Sequence, residues 1–279
     1  MKLLAIVITY FPDVEELRRN ILQYIEQVDK LIIWENTPKD FASEYKIELP
    51  QYPEKIIVNG TGKNEFIAYP LNKTIKWAKT EGFTHLLTMD QDSCFEEGVF
   101  KKYVQTIAAT EASDIGIWGA NPNNMYNAET PILEVPQCIT SGTIYPLSVF
   151  DKIGLFREDF AIYVVDIEFG IRARKYGYKT VVVPAATLRH TFGRPTKTIF
   201  GYTSSNYSPF ITYLIIRNTI VTWIEYPDHF KVRKGFIQYT ILYRILAIIL
   251  HEKQKWKKLK AIAWGICDGI RRKMNTRTF

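Results

Sequence analysis

The chain is poor in cysteine: three in 279 residues, Cys94, Cys138 and Cys267, far apart and odd in number. That excludes a disulfide framework and any recognisable zinc spacing, and makes a reducing cytoplasm the expected setting. No internal repeat and no low-complexity stretch is present. The N-terminal apolar run lacks a small-residue cleavage site and turns polar at Asp13, so it reads as a first strand rather than a signal peptide. The apolar run at 235–250 is shorter than the ~20 residues needed to span a bilayer, and it carries Arg244.

Hydrophobic residues make up 47% of the chain and aromatics 14%. That suffices for one large domain, or one domain with an appendage. The net charge is +7, but unevenly placed. From Asp228 to the C-terminus there are 13 basic and 3 acidic residues, a local charge of +10, whereas the rest of the chain carries −3. Such asymmetry points to an acidic partner surface, anionic lipid or nucleic acid.

Residues 3–10 form a continuous apolar run of strand length, suited to a central parallel strand. A helix is expected at 14–27, strands at 30–36 and 55–60, a helix at 66–80 and a strand at 84–89. This alternation predicts an α/β fold: an open, mostly parallel sheet with helices on both faces. Ligands of such sheets bind at the carboxyl ends of the strands, where Thr9–Pro12, Glu35–Thr37 and Asp90–Asp92 fall. Further strands are expected at 115–120, at 135–145 with Ser141-Gly142 inserted, and at 179–184. A helix is expected at 165–176, ended by Gly177, and a polar loop at 192–207.

After Pro209 the character changes, which suggests a catalytic domain over 1–208 and a helical segment over 209–279. Residues 210–226 and 235–250 are helix-length apolar runs. Continued as one helix past 250, the second places Thr240, Arg244, His251, Lys255 and Lys258 on one narrow face. With Trp256, Trp264 and the surrounding lysines, this reads as an amphipathic membrane-interface segment; a core helix with a solvated charged stripe, or a homodimer contact, is the alternative.

Most of the chemistry is concentrated in LLTMDQDS, residues 86–93. A buried strand runs straight into Asp90 and Asp92. Two carboxylates at a strand end suit a hard divalent cation bound to a diphosphate. A turn with Asp92 or Ser93 as a helix cap would use the same residues.

Together, VITYFP (7–12), IIWENT (32–37), NEFIAYPLNKTIKWA (64–78), LLTMDQDS, ITSGTIYP (139–146), VVDIEFGIRARKYGYKTVVVP (164–184), RHTFG (189–193) and RN (217–218) resemble, in order and spacing, the inverting glycosyltransferases of family 2. Within that family the chain is most similar to bacterial rhamnosyltransferase-type members. The resemblance covers roughly residues 1–220. It implies the GT-A nucleotide-sugar-binding fold and a metal-dependent, inverting transfer of one sugar from a nucleotide diphosphate to a glycan.

On that resemblance Asp92 and His190 are expected to ligate Mn²⁺ or Mg²⁺, and Asp90 to contact the ribose or reach the metal through water. Asp166 falls on the position of the catalytic base. Thr9, Tyr10, Glu35 and Asn36 would line the nucleotide site. Ser141 and Gly142 would let the backbone approach the donor sugar. Glu168 would orient the acceptor or pair with Arg172. Arg217 would reach the diphosphate or form a surface ion pair. Asn72 has either a site role or a helix-packing role.

The implied donor is dTDP-L-rhamnose, with UDP-galactose, UDP-glucose and UDP-galactofuranose as alternatives. The implied acceptor is lipid-linked, in cell-surface polysaccharide or capsule synthesis, with the enzyme peripheral at the inner face of the membrane. A nucleotidyltransferase is disfavoured because residues 10–20 hold no glycine and no lysine for a phosphate loop. No nucleic-acid-binding motif accompanies the basic tail, so nucleic acid is not an expected partner.

Overall fold

The computed structural model describes residues 1–42, 45, 47–191, 196–197, 203–204, 206–232, 236–275 and 277. Most of the loop expected at 192–207 therefore lies outside the described residues. The chain forms two compact units: Met1–Ala161 with Phe169–His190, and Ile162–Glu168 with Thr191–Phe279. Position 208, where the sequence changes character, lies inside the second unit.

The first unit follows the order β1 (Leu3–Thr9), α1 (Val14–Leu22), β2 (Lys30–Glu35), α2 (Lys39–Ala42), β3 (Ile56–Gly60), α3 (Ala68–Thr80), β4 (His85–Asp90), β5 (Cys94–Phe95), α4 (Val99–Thr110), β6 (Ile115–Pro122), β7 (Leu133–Glu134), β8 (Thr143–Pro146) and α5 (Val149–Ile153). Helix α6 (Val165–Lys175) begins in the second unit and re-enters the first, which ends on β9 (Lys179–Arg189). The strand order is β3-β2-β1-β4-β8-β6-β9-β5, with β7 beside β9. Strands β1 to β4 pair in parallel, and β6 pairs in parallel with β9. The insertion of β8, antiparallel to both β4 and β6, joins these two parallel groups.

Burial explains the central strand. Every residue of β1 but Ile8 is buried. Leu3, Ala5 and Val7 share a core with Leu17 and Ile21 of α1 and with Phe100, Tyr103 and Ile107 of α4. Because side chains alternate along a strand, Leu4 and Ile6 face the other way, and they are equally buried. Both faces of β1 are thus covered, which is why it reads as an uninterrupted apolar run.

Several elements differ from expectation. Helix α1 stops at Leu22, where Gln23 and Tyr24 donate to Asn20 and Ile21 in a tighter i→i−3 turn. The strand expected at 135–145 is confined to β8, because Gly142 adopts φ +72° and turns the chain. Strand β9 runs on to Arg189, five residues beyond the expected end at 184.

The second unit contains β10 (Thr196–Lys197) paired antiparallel with β11 (Thr203–Ser204), then α7 (Pro209–Glu225), α8 (Pro227–Val232), α9 (Phe236–His251) and α10 (Lys255–Ile270). Ser208 caps α7, its hydroxyl accepting from the Ile211 amide. Helix α10 packs closely on α7. A Cβ at Gly265 would sit 2.9 Å from Ile216 Cβ, and one at Gly269 would sit 2.9 Å from Ile220 Cβ. The expected single helix past residue 250 is two helices, broken where Gln254 takes φ +54°. Buried Glu252 organises the break: Arg244 approaches it at 3.3 Å from α9 and Lys258 at 2.7 Å from α10. Arg244 and Lys258, two of the residues placed on that one narrow face, instead close this turn. Among the described residues, no helix is long and apolar enough to cross a membrane.

Candidate active site

In the first unit the three central strands finish level. Register pairs Thr9 with Glu35 and Ile8 with Asp90. The polar residues that follow β1, β2 and β4 are therefore presented side by side at one sheet edge, as the sequence pattern predicts. Gln91, between the two aspartates, staples this edge. Its Oε1 accepts from the Tyr10 amide at 2.7 Å and its Nε2 donates to the Tyr10 carbonyl at 3.2 Å. Sequence reasoning gave Gln91 no role; its only signal was its place in the Asp-Gln-Asp triplet.

Asp90, Asp92 and His190 come together, each offering one ligand atom, all within 4.8 Å of one another. His190 follows β9 and is held on two sides. Its amide donates to Asn123 Oδ1 at 3.1 Å, and Asn123 Nδ2 donates to its carbonyl at 2.7 Å. Its Nδ1 lies 2.8 Å from Ser93 Oγ and 3.9 Å from an Asp90 oxygen. Burial pushes the imidazole pKa down, an effect partly opposed by the Asp92 carboxylate. A neutral imidazole is the form that ligates metals. Two carboxylates and one imidazole suit Mn²⁺ or Mg²⁺, with the nitrogen favouring Mn²⁺. The residues present therefore fit the implied metal.

Beside this edge a cavity of about 320 Å³ is lined by Thr9, Glu35, Ile33, Tyr45, Ile47 and Val58, among others. Thr9 and Glu35 are thus brought together. Burial raises the Glu35 carboxyl pKa. Phe11, at φ +46°, packs edge-on against Tyr45 with ring centroids 5.6 Å apart, and Tyr10 packs on Phe11 at 4.7 Å. Tyr10, Phe11 and Phe41 are exposed despite their size. An aromatic rim beside an apolar cavity suits a planar base. Phe11, Phe41 and Tyr45 had no role in the sequence reading; the clustering of aromatics after β1 and near 41–45 was the available signal.

Other expected site residues are committed to the scaffold. Asn36 is buried; it donates to the Phe66 carbonyl at 2.6 Å and accepts from the Glu65 amide at 3.1 Å, which holds that loop. Ser141 is buried and its hydroxyl accepts from the Asp90 amide at 3.0 Å, which ties it to the end of β4. A Cβ added at Gly142 would sit 2.8 Å from Leu188 Cδ2 and 2.9 Å from Ala120 Cβ, so its smallness serves core packing. Asn72 brackets Phe156, accepting from its amide and donating to its carbonyl, both at 2.9 Å, which is the packing role. Arg172 donates to the Ile153 and Leu155 carbonyls.

The second unit carries Asp166 in the first turn of α6, with one oxygen accepting from the Ile167 amide at 2.9 Å. The approach to it is strained: Tyr163 and Val164 have φ of 62° and 65°, unusual for residues with a side chain and costly for β-branched valine. Buried Asn218 holds this segment, donating to the Tyr163 carbonyl at 3.0 Å and the Ile162 carbonyl at 3.2 Å. Arg217 in turn donates to Asn218 Oδ1 at 2.8 and 3.0 Å and to the Met274 carbonyl at 2.8 Å. Arg217 is fully buried, so it forms no surface ion pair, and its guanidinium orients Asn218. Glu168 is buried as well and accepts from the Tyr226 hydroxyl at 2.8 Å, which anchors it within its unit.

No family model matches the chain. It is 24% identical over 289 aligned residues to the dTDP-rhamnosyl transferase RfbF of Shigella flexneri, covering 96% of this chain and 95% of that protein. Among solved structures, GalNAc-T7 with UDP, GalNAc and Mn²⁺ matches with a TM-score of 0.60 at 13% identity over 99% of this chain. The chain spans 58% of the length of that protein. The S. aureus TarS fragment 1–349 in complex with UDP matches with a TM-score of 0.50 at 14% identity, covering 98% of this chain and 92% of that one. These likenesses bear out the resemblance read from the motifs: the chain has the GT-A fold of glycosyltransferases.

Proposed function

We propose that this protein is a metal-dependent inverting glycosyltransferase that moves one sugar from a nucleotide diphosphate to a glycan. The observation that carries the reading is the Asp90, Asp92 and His190 cluster at the carboxyl edge of a GT-A sheet. The aromatic-rimmed cavity beside it supports a nucleotide as the donor's handle. A divalent ion held by Asp92 and His190, with Asp90 nearby, would supply Lewis-acid stabilisation of the departing diphosphate.

The protein's own part is at the acceptor. The Asp166 carboxylate takes the proton from the acceptor hydroxyl as that oxygen bonds to the anomeric carbon. The bond from that carbon to the diphosphate oxygen breaks on the opposite face. Attack from one face and departure from the other inverts the configuration. The strained turn held by Asn218 fixes the direction of the carboxylate's approach.

The full-length likeness to a dTDP-rhamnosyl transferase favours dTDP-L-rhamnose as donor. UDP-sugars form the second reading, favoured by the UDP in both structural neighbours. The acceptor is a lipid-linked glycan in cell-surface polysaccharide synthesis.

The test is nucleoside diphosphate release from dTDP-L-rhamnose, UDP-galactose and UDP-glucose with Mn²⁺, Mg²⁺ or EDTA, and NMR of the product. The expected result is metal-dependent turnover with one preferred donor and an inverted anomeric centre. Turnover undiminished by EDTA, or a product that retains configuration, overturns the reading.

A further inference from the structure

We infer that the outer face of α9, with the lysines that follow it, is a docking surface for anionic lipid. Leu242, Leu246, Ile249 and Leu250 are 60%, 56%, 45% and 63% exposed. At 100° per residue they share an arc of about 100° on the helix. The opposite side of α9 supplies Ile248 to a core with Ile216, Ile220 and Ile262, so the helix is already anchored and its outer leucines are not needed for packing. Four large aliphatic side chains on one exposed face, with no cover among the described residues of their own unit, call for a partner.

Charge selects the partner. Lys253, Lys255, Lys257 and Lys260 are all exposed immediately after this face, and Trp256 among them is 85% exposed. The only acidic residues between 236 and 275 are Glu252 and Asp268. Both are buried and paired, Glu252 with Arg244 and Lys258, and Asp268 with Arg277. The exposed charge of this segment is therefore of one sign. A second copy of the same surface would be repelled by it, whereas anionic headgroups are attracted by each lysine. An apolar helix face, a basic flank and an interfacial tryptophan together match a helix lying in a bilayer surface. Spanning is excluded for the described helices, none of which is long and apolar enough. Trp264, the other tryptophan of the segment, stacks with Lys260 and Arg277 and lies partly inside the unit, so Trp256 is the one available to the interface.

Flotation of the full chain with vesicles tests this. On vesicles of 30% phosphatidylglycerol in phosphatidylcholine the protein is expected to float, with affinity at least tenfold higher than on pure phosphatidylcholine and falling with salt. L246E/L250E is expected to abolish flotation, and K253E/K257E to weaken it by about tenfold or more. Both variants alter exposed positions and should unfold thermally within a few degrees of the parent, which separates lost docking from lost fold. Equal binding to both vesicle types, or no binding, overturns the inference. So does a parent protein that is dimeric by light scattering and becomes monomeric as L246E/L250E with vesicle binding unchanged, since the face would then belong to a second copy.

Discussion

Single side chains divide into those that face a ligand and those that hold the ones that do, and the sequence does not distinguish them. The Asp90, Asp92 and His190 grouping was legible, the two aspartates from their place at a strand end and His190 only through the family resemblance. Asn36, Ser141 and Arg217 were equally polar, yet their hydrogen bonds go to backbone and neighbouring side chains. Which way a polar side chain points is set by tertiary contacts that no local pattern records. The division yields two predictions. Asp166→Asn should lower kcat by roughly 10²–10⁴-fold while nucleotide binding is retained; unchanged kcat would remove Asp166 from the chemistry. Asn218→Ala should cost about 1–3 kcal/mol of stability through the two carbonyls left unpaired and should lower kcat more than it raises KM, because it frees the turn before Asp166. Equal loss in both parameters would reduce Asn218 to a purely structural residue.

Helices and strands were legible where periodicity is local and illegible where a distant partner decides. Central strands and α7 followed from apolar runs. Helix α4 went unassigned although Phe100, Tyr103 and Ile107 repeat at helical spacing and all three are buried. The break between α9 and α10 had no proline or glycine to announce it; it exists because buried Glu252 gathers cations from both helices. Gly142 shows the same dependence. Its left-handed φ and the Leu188 and Ala120 side chains within 3 Å of an added Cβ predict that Gly142→Ala loses about 2–4 kcal/mol in denaturant unfolding. A loss below about 1 kcal/mol would mean the turn relaxes freely.

The C-terminal helix carries a pH-dependent lock. The Arg277 guanidinium bonds the Asp268 carboxylate, to which Tyr213 also donates at 2.9 Å, and holds its pKa below the usual carboxylate range. A carboxyl group lowered on folding stabilises the fold above its unfolded pKa, near 4, and that contribution fades as pH falls through the lower folded value. Asp268→Asn should therefore melt below the parent at pH 7, with the gap closing as pH falls below about 4. A gap independent of pH would show that the ion pair is not its source.

For the chain as a whole, a GT-A fold, a three-residue cluster at the strand edge and an aromatic-rimmed cavity all support the proposed chemistry, a divalent ion shared with a nucleotide diphosphate. The most direct measurement is Mn²⁺ binding in the presence of dTDP or UDP, read by electron paramagnetic resonance on the parent, Asp92→Ala and Asp166→Asn. One Mn²⁺ per chain that requires the nucleotide for tight binding, weakened by about 100-fold or more in Asp92→Ala and unchanged in Asp166→Asn, is the predicted result. Equal Mn²⁺ affinity in the parent and Asp92→Ala would contradict it.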